Sequence, residues 1–312
     1  MTIHAFRRRA LVPLAGLLGL ALVSAPALTA TEQNEKTIYL SVVDKDGKSV
    51  RDLATQDVLI REDNQDRDVV SVSMAKEPLA IVLLADTTKS AGSVGMMSRQ
   101  NTTAGSAEMI QDIRKSLTAF VKSISTANPE SQIELMEFGQ AAITVTKMTS
   151  NVTDLEKGIN RLFPKPDAAS VLLEAIVEAS KSLSKARTPR RAIVVLNVEP
   201  GDEQSRQEAR KMNEELQKSR AGLWAVSLQV GSIKNEMRGL VLEVLTKNTG
   251  GRREFIQAQS AMEVMLTTFA DNLTSQYAVT YRRPGNVTRA QVVQVGVMRQ
   301  GLGLHASIFA PQ

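Results

Sequence analysis

A near-continuous apolar run, Leu79–Ala85, is the feature that most constrains the fold of this chain. A strand that is apolar at every position is typical of a parallel sheet with helices on both faces. Two further runs of this kind occupy 192–196 and 223–228. Between the runs, apolar side chains recur at helical spacing, for example at Met109, Ile113, Leu117, Phe120, Val121 and Ile124. The alternation predicts an α/β fold with a doubly wound, largely parallel sheet.

Shorter strands with alternating polar and apolar residues flank this region on both sides. We predict an N-terminal β unit over residues 36–76, an α/β domain over 78–274 and C-terminal β strands over 276–312. Because the two β segments lie at opposite ends of the α/β domain in sequence, we expect them to pair as one small β subdomain. Within the α/β domain, residues 203–219 are rich in charged residues and predict an exposed helix.

The first thirty residues have the pattern of an export signal. The arginines Arg7–Arg9 precede an apolar run, Ala10–Val23, and small residues follow at Ala25–Ala27. We predict a signal peptide over 1–30, cleaved after Ala27 or Ala30, and a periplasmic or secreted protein without an integral membrane segment after cleavage. The alternative is an uncleaved anchor helix, for which the run is short, since a bilayer span needs about 20 residues.

Composition excludes several functional classes. The chain has no cysteine and two histidines, His4 in the signal and His305 in a predicted C-terminal strand, so thiol chemistry and a histidine-based triad are excluded. The net charge is +5, of which the signal arginines contribute three, and aromatic residues make up 4% of the chain. These values argue against a nucleic-acid partner, and we expect a binding protein without enzymatic activity.

Polar side chains follow the first buried strand directly, in the sequence Asp86-Thr87-Thr88-Lys89-Ser90. Ligands of open α/β sheets bind beyond the carboxyl ends of the strands. The oxygens of Asp86, Thr88 and Ser90 alternate along this loop and are the ligand type that hard divalent cations prefer. A polar strand-to-helix loop, in which the aspartate or serine only caps the helix, explains the same residues.

This strand and loop resemble those of von Willebrand factor A-type domains, in particular the related proteins that some bacteria export. In that family an apolar strand ends in Asp-x-Ser-x-Ser, which Asp86, Thr88 and Ser90 match with a threonine at the second position. The family's next metal ligand is a threonine in a loop that opens a helix, and Ser170 falls at that position.

The last metal ligand of the family is an aspartate after a later strand, and here Val198 stands in its place. The nearby acids Glu199 and Asp202 are the candidates to compensate. The resemblance covers roughly residues 36–310, including the β segments before and after the A-type domain.

The resemblance implies an exported protein-binding module for adhesion or interaction, with a protein ligand in the envelope or outside the cell. It implies a degenerate metal-ion-dependent adhesion site that takes Mg²⁺, or Mn²⁺ or Ca²⁺, on Asp86, Thr88, Ser90 and Ser170. The alternative is a metal-free structural scaffold of an envelope assembly, which the valine at position 198 favours. A hydrolase that uses Asp86 is the third hypothesis, and the lack of histidine and cysteine in the α/β region argues against it.

Overall fold

The computed structural model describes residues 34–88, 102–165, 168–199, 203–206, 208–229 and 235–312. The predicted signal peptide, Ser90 and Asp202 lie outside the described residues. The strands are β1 Asn34–Val43, β2 Val58–Glu62, β3 Gln65–Arg67, β4 Val69–Met74, β5 Leu79–Asp86, β6 Gln132–Phe138, β7 Ala142–Thr149, β8 Arg190–Glu199, β9 Gly222–Gln229, β10 Arg253–Ile256, β11 Tyr277–Arg283, β12 Val293–Val297 and β13 Gly303–Ala306. The helices are α1 Thr102–Ala127, α2 Val152–Asn160, α3 Leu172–Leu183, α4 Ala209–Ser219, α5 Glu236–Asn248 and α6 Ala261–Thr274.

The central sheet has six strands in the order β10-β9-β8-β5-β6-β7. Strand β5 pairs in parallel with β8 on one side and with β6 on the other, so the apolar run Leu79–Ala85 lies inside the sheet, as predicted. Strand β7 is antiparallel to β6. Only residues 139–141 separate these two strands, which is enough for a hairpin but too short for the crossover that parallel pairing requires.

Helices cover both faces of this sheet, which explains why β5 is apolar throughout. Leu79, Ile81 and Leu83 pack in one hydrophobic cluster with residues of α1, α2 and α6. The alternate residues of β5 pack in a second cluster with residues of α3, α4 and α5. Successive side chains of a strand point to opposite faces, so each position of β5 needs an apolar residue.

Strands from the two ends of the chain pair with each other. A four-stranded sheet has the order β13-β1-β11-β4, and a three-stranded sheet has the order β12-β2-β3. A third hydrophobic cluster, which includes Leu40, Ile60 and Val279, joins residues of these strands. Beside it, the buried carboxylate of Glu62 accepts hydrogen bonds from Tyr281 and Arg283.

The helix predicted over residues 203–219 is shorter in the structure, because α4 begins at Ala209. Glu203 instead forms an isolated parallel bridge with Ser170, and the Gln204 N–H donates to the Ser170 carbonyl at 2.7 Å. These contacts to the start of α3 hold the segment out of the helix. Among the described residues, no helix has the length and apolar character needed to cross a membrane.

Candidate functional site

The candidate site lies at the carboxyl ends of β5 and β8, where the topology of the central sheet reverses. From β5 the chain continues to β6 on one side, and after β7 it returns to β8 on the other side. Such switch points are where open α/β sheets bind ligands. Asp86 ends β5, and its Oδ2 atom accepts a hydrogen bond of 2.8 Å from the Val198 N–H in β8. The carboxylate therefore links the two strand ends.

Asp86 is completely buried, and Thr88 donates hydrogen bonds to the second oxygen of its carboxylate, Oδ1. The Oδ1 atom accepts from the Thr88 N–H at 2.9 Å and from the Thr88 hydroxyl at 2.6 Å. Burial raises the pKa of Asp86, and the hydrogen bonds from Thr88 and Val198 oppose that rise. The structure thus brings Asp86 and Thr88 into direct contact, in the turn that leaves β5.

Ser170 belongs to a neighbouring polar cluster that includes an arginine. Its hydroxyl donates to Glu203 Oε2 at 2.9 Å and accepts from the Arg238 guanidinium at 3.2 Å. Among the charges that act on Asp86, Arg238 lowers the pKa of that carboxyl, against the larger effect of burial. The positive charge of Arg238 therefore acts on the Asp86 carboxylate, and its guanidinium binds the Ser170 hydroxyl.

Arg238 is the residue that sequence reasoning missed. It lies in the first turn of α5, where the Asn235 side chain caps the helix by accepting from the Arg238 N–H at 3.0 Å. Its side chain has no exposed surface, and it donates to Glu199 Oε2 at 2.5 Å. The signal in the sequence is its position, because Arg238 shares the inward face of α5 with Leu242 and Leu245 at helical spacing.

A second arginine extends this network to the edge strand of the sheet. The guanidinium of Arg253 in β10 lies 3.7 Å from the other oxygen of Glu199 and donates to the Gly239 carbonyl. Asn197 also donates to Glu199, at 3.2 Å. The carboxylate of Glu199 therefore has contacts from β8, α5 and β10, which is the arrangement that a buried charge requires.

The described residues of the predicted metal site, Asp86, Thr88 and Ser170, are already engaged in hydrogen bonds within the chain, and Ser90 lies outside the described residues. Both oxygens of Asp86 accept hydrogen bonds from the chain, and Val198 contributes an N–H donor where a metal site needs an oxygen ligand. The guanidinium of Arg238 already donates to the Ser170 hydroxyl, a contact that a metal ion bound to this oxygen would have to displace. Among the described residues, no group of three acidic or histidine side chains has an arrangement suited to a metal.

Asp86, Thr88 and Ser170 lie in a region of the chain that matches a known protein family. Residues 81–197 match the family model for the von Willebrand factor type A domain. No curated protein sequence matches the chain. Arg238, Glu199 and Glu203 lie after the matched region.

Solved structures that align with the chain come from several organisms. The chain aligns with a von Willebrand factor type A protein from Catenulispora acidiphila at 8% identity and a TM-score of 0.49, over 89% of this chain and 75% of that one. It aligns with the PilB minor pilin from Streptococcus sanguinis at 9% identity and a TM-score of 0.48, over 64% of this chain and 62% of the pilin.

A third similar structure is the vWF domain of the type V pili tip protein Mfa5 from Porphyromonas gingivalis, at 14% identity and a TM-score of 0.33, over 39% of this chain and 38% of that one. The chain thus spans less than two thirds of the Mfa5 and PilB structures. The family match begins within β5 and ends in β8 at the switch point, so residues 81–197 match the von Willebrand factor type A domain that the sequence predicts.

Proposed function

We propose that the chain is an exported protein-binding module for adhesion or interaction, and that its partner contacts the carboxyl edge of the central sheet. One observation carries the proposal: the two elements that supply Ser170 and Arg238 also expose large apolar side chains. Phe163 is 61% exposed in the loop before Ser170, and Met237 and Leu240 are 69% and 64% exposed on α5. Large exposed apolar side chains beside a ligand-binding edge mark candidate protein-interaction surfaces.

The apolar side chains and the charge network belong to the same elements. Met237 and Leu240 lie next to Arg238 in the first turns of α5. The arginine points to the protein interior, and the two apolar side chains point to the solvent. On the loop, Lys165 donates its N–H to the Thr87 carbonyl at 2.8 Å, which holds the segment after Phe163 against the end of β5. We call Met237 and Leu240 on α5 the apolar rim.

The network beneath the rim supports binding without a divalent cation, because Arg238 is bound to Glu199 and Ser170 and the rim itself is apolar. A metal-free structural scaffold of an envelope assembly is the alternative. The closed contacts of Asp86 with Thr88 and Val198 favour it, since a scaffold needs no open ligand site. The scaffold hypothesis predicts that changes to the apolar rim leave association unaffected.

We further propose that residues 1–30 are a signal peptide that directs export to the periplasm or beyond. The charged start, the apolar run and the small residues near Ala27 support this. We also propose that the two smaller sheets form one β subdomain beside the α/β domain. Their strands come from both ends of the chain, and they share one hydrophobic cluster.

The experiment compares two double variants in a pull-down from envelope extracts of the source cells. The rim variant combines Met237→Ser with Leu240→Ser. The matched control combines Val264→Ser with Met298→Ser, which are 64% and 65% exposed on other elements. We expect the wild type and the control to capture the same partner equally in Mg²⁺ and in EDTA, and the rim variant to capture at least tenfold less.

Thermal unfolding of each variant shows whether it is folded. Equal capture by the rim variant and the wild type would reject the rim as the binding surface. Capture that EDTA abolishes would reject the metal-free mode of binding.

A further inference from the structure

A cavity of about 610 Å³ lies at the end of the central sheet opposite to the candidate site. Its walls include the starts of β8 and β9, residues 37–39 of β1 and residues 307–312 after β13. The cavity therefore lies between the α/β region and the strands that flank it. Its volume is within the range of protein ligand sites. We call it the basal cleft.

The basal cleft is strongly cationic. Four arginines line it, Arg190, Arg191, Arg220 and Arg289, and among its described lining residues there is no aspartate or glutamate. The carboxylate of Glu77, outside the lining, acts on Arg190. A cleft lined by charges of one sign attracts ligands of the opposite sign.

Backbone carbonyls accept hydrogen bonds from the two inner arginines. Arg190 donates to the Glu77 and Leu273 carbonyls at 2.6 Å each, and Arg191 donates to the Ser219 carbonyl at 3.0 Å. Burial lowers the pKa of Arg191, and the positive charge of Arg220 lowers it further. These like charges stand close together, an arrangement that an anionic ligand would stabilise.

The cleft also contains an open strand edge. Strand β1 pairs with β11 over Asn34–Leu40, but with β13 only over Leu40–Val43. After β13 the chain turns away from β1, because Ser307 forms a bridge with Thr249 and Phe309 with Val292. Residues 34–39 of β1 thus have no second strand partner in the part of the chain that the structure describes. An unpaired edge offers backbone donors and acceptors to an incoming strand.

We propose that the basal cleft binds an acidic, extended peptide segment of a partner protein as an added strand beside β1. Main-chain hydrogen bonds to an open edge provide affinity in this mode of recognition, and pockets for alternate side chains provide specificity. Residues 37–39 of β1 line the cleft, and residues 34–36 continue the same open edge, so together they offer about 20 Å of strand. The arginines select acidic side chains, and the apolar wall of Ile38, Ile308 and Phe309 selects apolar residues between them.

The test is a fluorescence anisotropy titration of the full chain with a fluorescein-labelled hexapeptide that alternates glutamate and valine. We expect saturable binding that weakens as salt increases, because the attraction is electrostatic. A peptide with glutamine in place of glutamate should bind at least tenfold more weakly. Substitution of a central valine by proline removes a backbone donor and should weaken binding by a similar factor.

Two double variants locate the binding site. Arg220→Gln with Arg289→Gln should weaken binding about tenfold, since each exposed ion pair contributes a factor of about three to five. The matched control is Arg61→Gln with Arg210→Gln, which removes the same charge from exposed positions on β2 and α4 and should leave binding unchanged. Amide exchange of residues 34–39 should slow when the peptide is bound.

The proposal is overturned if the glutamate peptide does not bind saturably, if the glutamine peptide binds as tightly, or if the Arg220 and Arg289 double variant matches the wild type. Equal binding of the proline peptide would show attraction by charge alone and overturn strand addition. The rim variant should bind the peptide like the wild type, so this test and the test of the apolar rim can fail separately.

Discussion

Replacement of Arg238 by methionine should lower the free energy of unfolding by about 3–5 kcal/mol, because it leaves a buried carboxylate without its main partner. Arg238 has no exposed surface, and Glu199 is 2% exposed. After the change, Glu199 keeps the Asn197 amide at 3.2 Å and the Arg253 guanidinium at 3.7 Å. These remaining contacts favour the lower half of the range. Because 1 kcal/mol corresponds to roughly 2–4 °C for a domain of 150–250 residues, Tm should fall by about 10 °C.

Urea unfolding followed by circular dichroism measures this loss, with two further variants as references. Lys247→Met removes an exposed cation of the same helix and should change stability by less than about 0.5 kcal/mol. Arg238→Met combined with Glu199→Met removes both charges and should recover most of the loss, since apolar replacement of a buried pair is often neutral. A loss below about 1 kcal/mol for Arg238→Met, or a double variant no more stable than the single one, would refute the buried-pair reasoning.

Three further predictions, with four substitutions, test the packing and electrostatics of the fold. Burial lowers the pKa of His305 below its ordinary 6.5, so the unfolded state takes up the proton first and stability should fall as the pH drops through 6.5. His305→Gln should remove that slope in urea titrations at pH 7.5 and 5.5, and an unchanged slope would exclude His305 as its source. A Cβ on Gly251 would lie 1.7 Å from the Leu223 carbonyl oxygen, so Gly251→Ala should prevent stable folding in thermal scans, whereas Gly301→Ala, at φ +77° in open space, should cost about 1 kcal/mol. Equal Tm values for the two glycine variants would contradict the close contact. Glu62→Gln should cost about 3 kcal/mol by removing the buried partner of an arginine, and a change under 1 kcal/mol in urea unfolding would contradict this.

The sequence predicts the central sheet well because burial on both faces leaves a local pattern. The apolar run Leu79–Ala85 specifies an interior parallel strand without any knowledge of its neighbours. The start of α4 was not predictable in the same way. Residues 203–206 have helix-forming composition, and a contact to Ser170, 33 residues away in sequence, holds Glu203 out of the helix.

The candidate site is only partly predictable for a related reason. Asp86 and Thr88 are neighbours in sequence, and their polar pattern after a buried strand is visible directly. The partners that determine the chemistry come from far along the chain, since 112 residues separate Asp86 from Val198 and 68 separate Ser170 from Arg238. A charged residue on an amphipathic helix is normally exposed, so the inward position of Arg238 becomes evident only once Glu199 lies opposite to it.

Thermal unfolding with and without divalent cations tests most directly whether Arg238 takes the place of a metal ion at the switch point. The account predicts that the Tm of the wild type is the same, within about 1 °C, in EDTA, Mg²⁺ and Mn²⁺, because no site for the ion contributes binding energy. A Tm that rises with Mn²⁺ in the wild type but not in Asp86→Ala would contradict it.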